Sequence, residues 1–173
     1  MGRPDSNRVT ERLPLQFLAW CPMDDTEFMR IAIEESKKGD WPYGAVIVKD
    51  GRIVAEGTNE VTAVNDPTAH AEIVAIRRAC GDLKTFSLAS CTIYTTCEPC
   101  PMCLSAIHWA RLDKLYFAAS RHEAAAAGFD DELLYRLLNS ANKQPMLPMA
   151  RLLSDEAASV LTAWIAKPDK IPY

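Results

Sequence analysis

YGAVIVKDGRIVAEGTN, residues 43–59, sets two runs rich in β-branched residues on either side of Asp50-Gly51. That dipeptide suits a type I′ turn, whose twist matches paired strands, so the stretch reads as an antiparallel hairpin. Upstream, Asp24 and Asp25 open a helix that runs to about Lys38 and closes at Gly39. Downstream, NDPTAHAEIVAIRRACG (65–81) is a loop leading into a helix that stops near Gly81, and CTIYTTC (91–97) is a short strand. PCPMCLSAIHWAR (99–111) reads as a helix with Pro99 near its first position, and KLYFAAS (114–120) as a strand. DDELLYRLLN (130–139) is a helix with Asp at its start, MLPMARLL (146–153) a weaker fifth strand, and SDEAASVLTAWIAK (154–167) a last helix capped by Ser154. Strands and helices alternate after the hairpin. The expected fold is therefore α/β, a three-layer α/β/α sandwich with a five-stranded mixed sheet.

No repeat, low-complexity tract or linker interrupts residues 24–173, which read as one domain. Residues 1–23, broken by Pro4, Pro14 and Pro22, read as an irregular extension. A chain of 173 residues can bury roughly 70% of its unfolded surface. Hydrophobic residues make up 49% and charged residues 24%, so the core needs no disulfides. Six cysteines are too sparse for a secreted disulfide scaffold and imply a cytoplasmic protein with reduced thiols. No apolar run is long enough to span a bilayer, and the N-terminus lacks a signal-peptide core; MGRPDS matches the myristoylation pattern only loosely. The net charge of −4 comes without a Lys/Arg cluster. That argues against a nucleic-acid or membrane partner and for a small molecule.

CEPCPMC (97–103) carries half of the cysteines. Cys100 and Cys103, three apart at a helix start, can grip one ion, and the exposed N–H groups there favour thiolate. Two soft thiolates at this spacing point to zinc, with a disulfide as the alternative. Of the three histidines, His108 lies five residues past Cys103, roughly 140° around the helix, and cannot share their ion. His122 stands in a polar loop. His70 opens the helix after NDPT, two places before Glu72. Side chains at a helix start lean back past its N-terminus, so a metal off that end could meet His70 while Glu72 reaches its water.

H-x-E followed by P-C-x-x-C is the signature of zinc-dependent base deaminases, and HAE (70–72) with PCPMC (99–103) matches it in full. His70, Cys100 and Cys103 would bind Zn2+ and leave a fourth position for water, whose pKa the ion lowers. Glu72 would take the water's proton, deliver it to a ring nitrogen, and then protonate the departing ammonia. A rival stays open: with Cys97 as a fourth ligand the site would be closed and structural, and Glu72 would have no role.

YGAVIVKDG (43–51), NDPTAHAE, CEPCPMC and GFDD (128–131) together resemble bacterial guanine deaminases of the cytidine deaminase superfamily, over about residues 24–173. The resemblance implies hydrolysis of guanine, a purine base, to xanthine and ammonia. It also implies a homodimer that exchanges its C-terminal segments. It further implies that Asn59 hydrogen-bonds the purine, Asp131 accepts from guanine N–H groups, Tyr43 and Trp109 wall the ring, and Tyr173 closes the pocket. Aside from the resemblance, Asn59 reads as a turn residue, Asp131 as a helix cap, and Tyr43 and Trp109 as core. The chain departs from the family at DWPY (40–43), where guanine deaminases carry GGPF. Guanosine, cytosine or an aminotriazine remain alternative substrates, with tRNA adenosine and a non-catalytic zinc-containing binding module further off.

Overall fold

Strand β1 (Gly44–Lys49) is buried along almost its whole length, and this decides the layering. It pairs antiparallel with β2 (Arg52–Thr58) through the expected hairpin, where Asp50 and Gly51 have φ of 50° and 71°. Both values lie in the left-handed region that a type I′ turn demands. On its other edge β1 pairs antiparallel with β3 (Cys91–Cys97), with Ile47 opposite Ile93. β3 in turn pairs parallel with β4 (Lys114–Ala119). Among the described residues the sheet has four strands in the order β2-β1-β3-β4, so it is mixed as expected but one strand short.

The computed structural model describes residues 23–129, 131–139, 148–169 and 171. The described part of the expected fifth strand, 148–153, is irregular. Pro148 has no N–H to give a ladder. Residues 146–147 and most of the 1–23 extension lie outside the described residues.

Alternate residues of β1 serve opposite faces. Ala45 and Ile47 join Ile93 and the alanines Ala71, Ala75 and Ala79 of α3 (Ala71–Leu83). Ile107 of α4 (Pro101–Trp109) closes that cluster. Val46 and Val48 join Tyr94, Phe28 and Ala32, the last two from α1 (Asp25–Ser36). Helices thus cover both faces of the sheet. Each fully buried side chain such as Ile47 contributes about 2 kcal/mol.

Helix α1 starts where Asp24 accepts from the Glu27 N–H at 2.8 Å and the Glu27 carboxylate accepts from the Asp24 N–H at 2.8 Å, a reciprocal cap. Gly57 lets α3 lie against β2. A Cβ there would stand 2.2 Å from the Ala71 carbonyl oxygen and 2.6 Å from the Ala75 nitrogen.

Two short helices escaped the sequence reading, α2 (Val61–Val64) and α5 (Arg121–Ala126). α5 corrects the placement of His122, which sits on that helix, exposed, rather than in a loop. Pro99 is likewise not at the start of α4. Pro101 takes the first helical position and Cys100 is the N-cap.

The chain divides into two compact units, Met1–Asp130 and Asp131–Tyr173. The second holds α6 (Glu132–Asn139) and α7 (Ser154–Ala166). The cap of α7 is Leu153, in the left-handed region at φ 48°, and Ser154 is already helical, so the expected serine cap is not made.

Candidate metal centre

Two helix N-termini bring the donors together. His70 is the N-cap of α3 and Cys100 the N-cap of α4, both with extended backbone. Cys103 follows in the first turn of α4 and is fully buried. The loop before His70 is tied off by Asp66, whose carboxylate accepts from the Thr68 N–H (2.8 Å), the Thr68 hydroxyl (2.7 Å) and Arg77 (3.1 Å). Glu60 N–H donates to the Ala69 carbonyl at 3.0 Å and anchors the same loop to the end of β2.

His70 Nδ1 lies 3.5 Å from Cys103 Sγ and 3.7 Å from Cys100 Sγ. All three donor atoms fall within 4.8 Å of one another. A nitrogen and a sulfur bound to one tetrahedral zinc at usual bond lengths stand about 3.6 Å apart. The donor set therefore fits zinc in both chemistry and span. Cys97 is not in this group. Its sulfur lies 3.9 Å from the Ser120 carbonyl oxygen at the end of β4. Among the described residues, the group whose span suits one ion therefore has three donors and does not include Cys97.

The sulfur pair is already polarised. A hydrogen bond from Cys103, helped by His70, holds the Cys100 thiol down to about 4 against the opposing effect of burial. The same bond, together with burial, pushes the Cys103 thiol far above its ordinary value. The two thiols thus differ sharply in acidity, and a divalent ion bound there would hold both as thiolates.

Glu72, on the first turn of α3, is 8% exposed. Burial, before any other cause, raises its carboxyl above the usual range, and the Cys100 charge adds to this. It touches Cys103 yet stays outside the donor group. The structure thus assembles His70, Glu72, Cys100 and Cys103 at one point.

The remaining expected residues are placed unevenly. Asn59 is 1% exposed at the end of β2. Its Oδ1 accepts from the Val61 N–H at 3.2 Å, while its Nδ2 is buried with no acceptor among the described residues. Its main chain bonds to the Tyr43 carbonyl (3.2 Å) and the Asp40 N–H (3.0 Å). The Tyr43 ring meets Phe129 edge-on at 5.1 Å, and Trp41 packs on the same Phe129 at 5.7 Å. Phe129 lies in the GFDD stretch but carries no role assigned from the sequence.

Trp109 is 62% exposed at the far end of α4, in an open groove of about 460 Å³ with Ser105, His108 and Arg111. It stands roughly 13 Å along the helix from Cys100, so the structure does not bring it to the donor group. Asp131 belongs to the second unit, where its carbonyl accepts from the Leu134 N–H at 2.9 Å. Tyr173 lies outside the described residues.

Residues 22–119 match the family described as the cytidine and deoxycytidylate deaminase zinc-binding region. Guanine deaminase of Bacillus subtilis strain 168 is 50% identical over 123 residues, covering 71% of this chain and 79% of that protein. The tRNA-specific adenosine deaminase of Aquifex aeolicus is 37% identical over 148 residues, covering 81% and 93%. Among solved structures, that of a Bacillus subtilis guanine deaminase matches with a TM-score of 0.82 at 43% identity, over 87% of this chain and 99% of that one.

Proposed function

The chain belongs to the cytidine and deoxycytidylate deaminase family, and on that premise we propose that it is a zinc-dependent aminohydrolase converting guanine and water to xanthine and ammonia. The observation that carries this reading is the meeting of His70, Cys100 and Cys103 around one ion-sized point, with Glu72 beside them and outside the group. The likeness to guanine deaminases in both sequence and structure supports the choice of base.

His70, Cys100 and Cys103 would hold the zinc, which when bound would supply a Lewis acid able to lower the pKa of a water at the site. Glu72 moves the protons. It takes one from the attacking water and passes it to the purine ring nitrogen. It then takes the remaining proton from the hydroxyl added at the ring carbon as the carbonyl forms and gives it to the 2-amino group, which leaves as ammonia. Its buried carboxyl, raised above the ordinary range, suits a group that must both take and return a proton.

Asn59 supplies the next contact: its buried and unpartnered Nδ2 needs an acceptor, and a purine edge offers several. Tyr43 packs beside it, and Asp131, Trp109 and Tyr173 are assigned to the pocket on the family likeness. That likeness also supports a homodimer. In α7 the apolar Val160, Leu161, Trp164 and Ile165 are exposed, a face that a second copy of the chain would cover.

The test is to incubate the zinc-loaded protein with guanine, guanosine, cytosine, adenosine and tRNA, and to measure ammonia. Release from guanine is expected. Release from guanosine but not guanine would overturn the free-base assignment, release from tRNA alone would select the tRNA deaminases, and no release at all would remove the enzyme reading.

A further inference from the structure

Helix α2 has four residues, and the Glu60 side chain at its N-cap makes no capping bond. One neighbouring and one distant side chain divide the work. Val61 N–H donates to Asn59 Oδ1 at 3.2 Å. Thr62 N–H and Ala63 N–H both donate to Asp40 Oδ2, at 2.9 and 2.8 Å, from 22 and 23 residues away. The Asp40 N–H also donates to the Asn59 carbonyl at 3.0 Å. Asp40 therefore holds Asn59 twice, directly through the main chain and indirectly through α2.

This brace decides which end of the Asn59 amide is free. With α2 pinned, the Val61 N–H is fixed in place and donates to the oxygen of the amide, leaving the N–H pair buried without an acceptor among the described residues. A buried donor left unpaired carries a penalty, which an acceptor on a bound ligand would relieve. If α2 were loose, the amide could rotate or drift and the donor would no longer be aimed. The bonds from Ala63 and Thr62 hold the Asp40 carboxyl below its usual range, so the brace is charged at neutral pH.

We propose that Asp40 is a positioning residue for substrate binding: it fixes α2 so that Asn59 presents its N–H pair to the purine. This deepens the guanine reading above and rests on it. Asp40 itself touches no substrate. Its contribution is to binding in the ground state and the transition state alike, so it shows in KM more than in kcat.

Steady-state kinetics on guanine for Asp40→Ala and Asp40→Asn, each with and without Asn59→Ala, test the proposal. Asp40→Ala should raise KM about tenfold with kcat held within about threefold. Asp40→Asn keeps an oxygen for the two amides and should recover most of the loss. In the Asn59→Ala background, Asp40→Ala should change KM by less than about twofold, because the two act as one unit. An equal effect in both backgrounds, or a fall in kcat and thermal stability with KM unmoved, overturns the proposal.

The side-chain amide signal of Asn59 in a ¹⁵N–¹H spectrum, assigned by its loss in Asn59→Ala, gives a readout that needs no turnover. It should move in Asp40→Ala and stay in Asp40→Asn. An unmoved signal overturns the proposal whatever the substrate, whereas a moved signal in a protein inactive on guanine overturns only the substrate reading.

Discussion

His70 Nδ1 stands 3.5 Å from Cys103 Sγ, although 33 residues separate them along the chain. The approach is set by backbone rather than by the side chains. α3 is pressed against β2 at Gly57, β3 ends at Cys97, and three residues later Cys100 caps α4. Both helices therefore present their N-termini, with exposed N–H groups and positive dipole ends, to the same point.

Glu72→Gln keeps the shape of the side chain and removes its ability to carry a proton. Turnover should fall about a thousandfold while bound zinc, measured by elemental analysis, stays at the wild-type ratio. Near-normal turnover would remove Glu72 from the proton path.

Cys100→Ser and Cys97→Ser separate ligand from neighbour. The first takes away one of three donors and should lose most of the bound zinc and the activity with it. The second alters a sulfur that points to the Ser120 carbonyl and should retain both. Equal zinc loss in the two variants would restore the four-ligand site.

Gly57→Ala tests the approach of helix to strand. The added Cβ would meet the Ala71 carbonyl oxygen at 2.2 Å, so α3 must shift away from β2 and carry His70 and Glu72 with it. We expect a loss of about 3 kcal/mol in urea unfolding, together with weaker zinc retention against a chelator. Unchanged stability would show that the contact yields without moving the helix.

On the opposite face of the sheet, Tyr94 and Tyr116 each donate to Asp25 at 2.5 Å. The bond from Tyr116, then that from Tyr94, lowers the Asp25 carboxyl below its ordinary 3.8. A carboxyl depressed in the folded state stabilises the protein above 3.8, and that contribution is lost as pH falls through the folded value. The melting temperature of wild type should exceed that of Asp25→Asn at pH 6, and the gap should close as pH drops below 3.8. A gap independent of pH would mean that the carboxylate charge adds nothing there.

Much of this was legible because it is local. Asp50-Gly51 turns a hairpin by its own backbone preference, and CTIYTTC, with its β-branched residues, forms β3 over those same seven residues. The zinc donors could be named because His70 and Cys100–Cys103 each sit at a helix start that the sequence marks. Other features were missed because their causes are distant. α2 is too short to show a period, and its amides are satisfied by Asp40 from 22 and 23 residues upstream. The fifth strand failed at residues 148–153, since a run of apolar residues forms a strand only where an edge accepts it, and Pro148 has no hydrogen to offer.

The order of residues alone determined the chemistry available, which is two thiolates, an imidazole and a carboxylate at spacings that suit zinc and proton transfer. The packed chain decided which of them act together. It turned the Cys97 sulfur to the Ser120 carbonyl, and it left the Asn59 amide N–H pair without an acceptor among the described residues. Spacing along a helix limits which neighbours can meet, but the choice of a third donor from another helix depends on how closely β2 and α3 pack. Only the glycine contact and the shared core settle that distance.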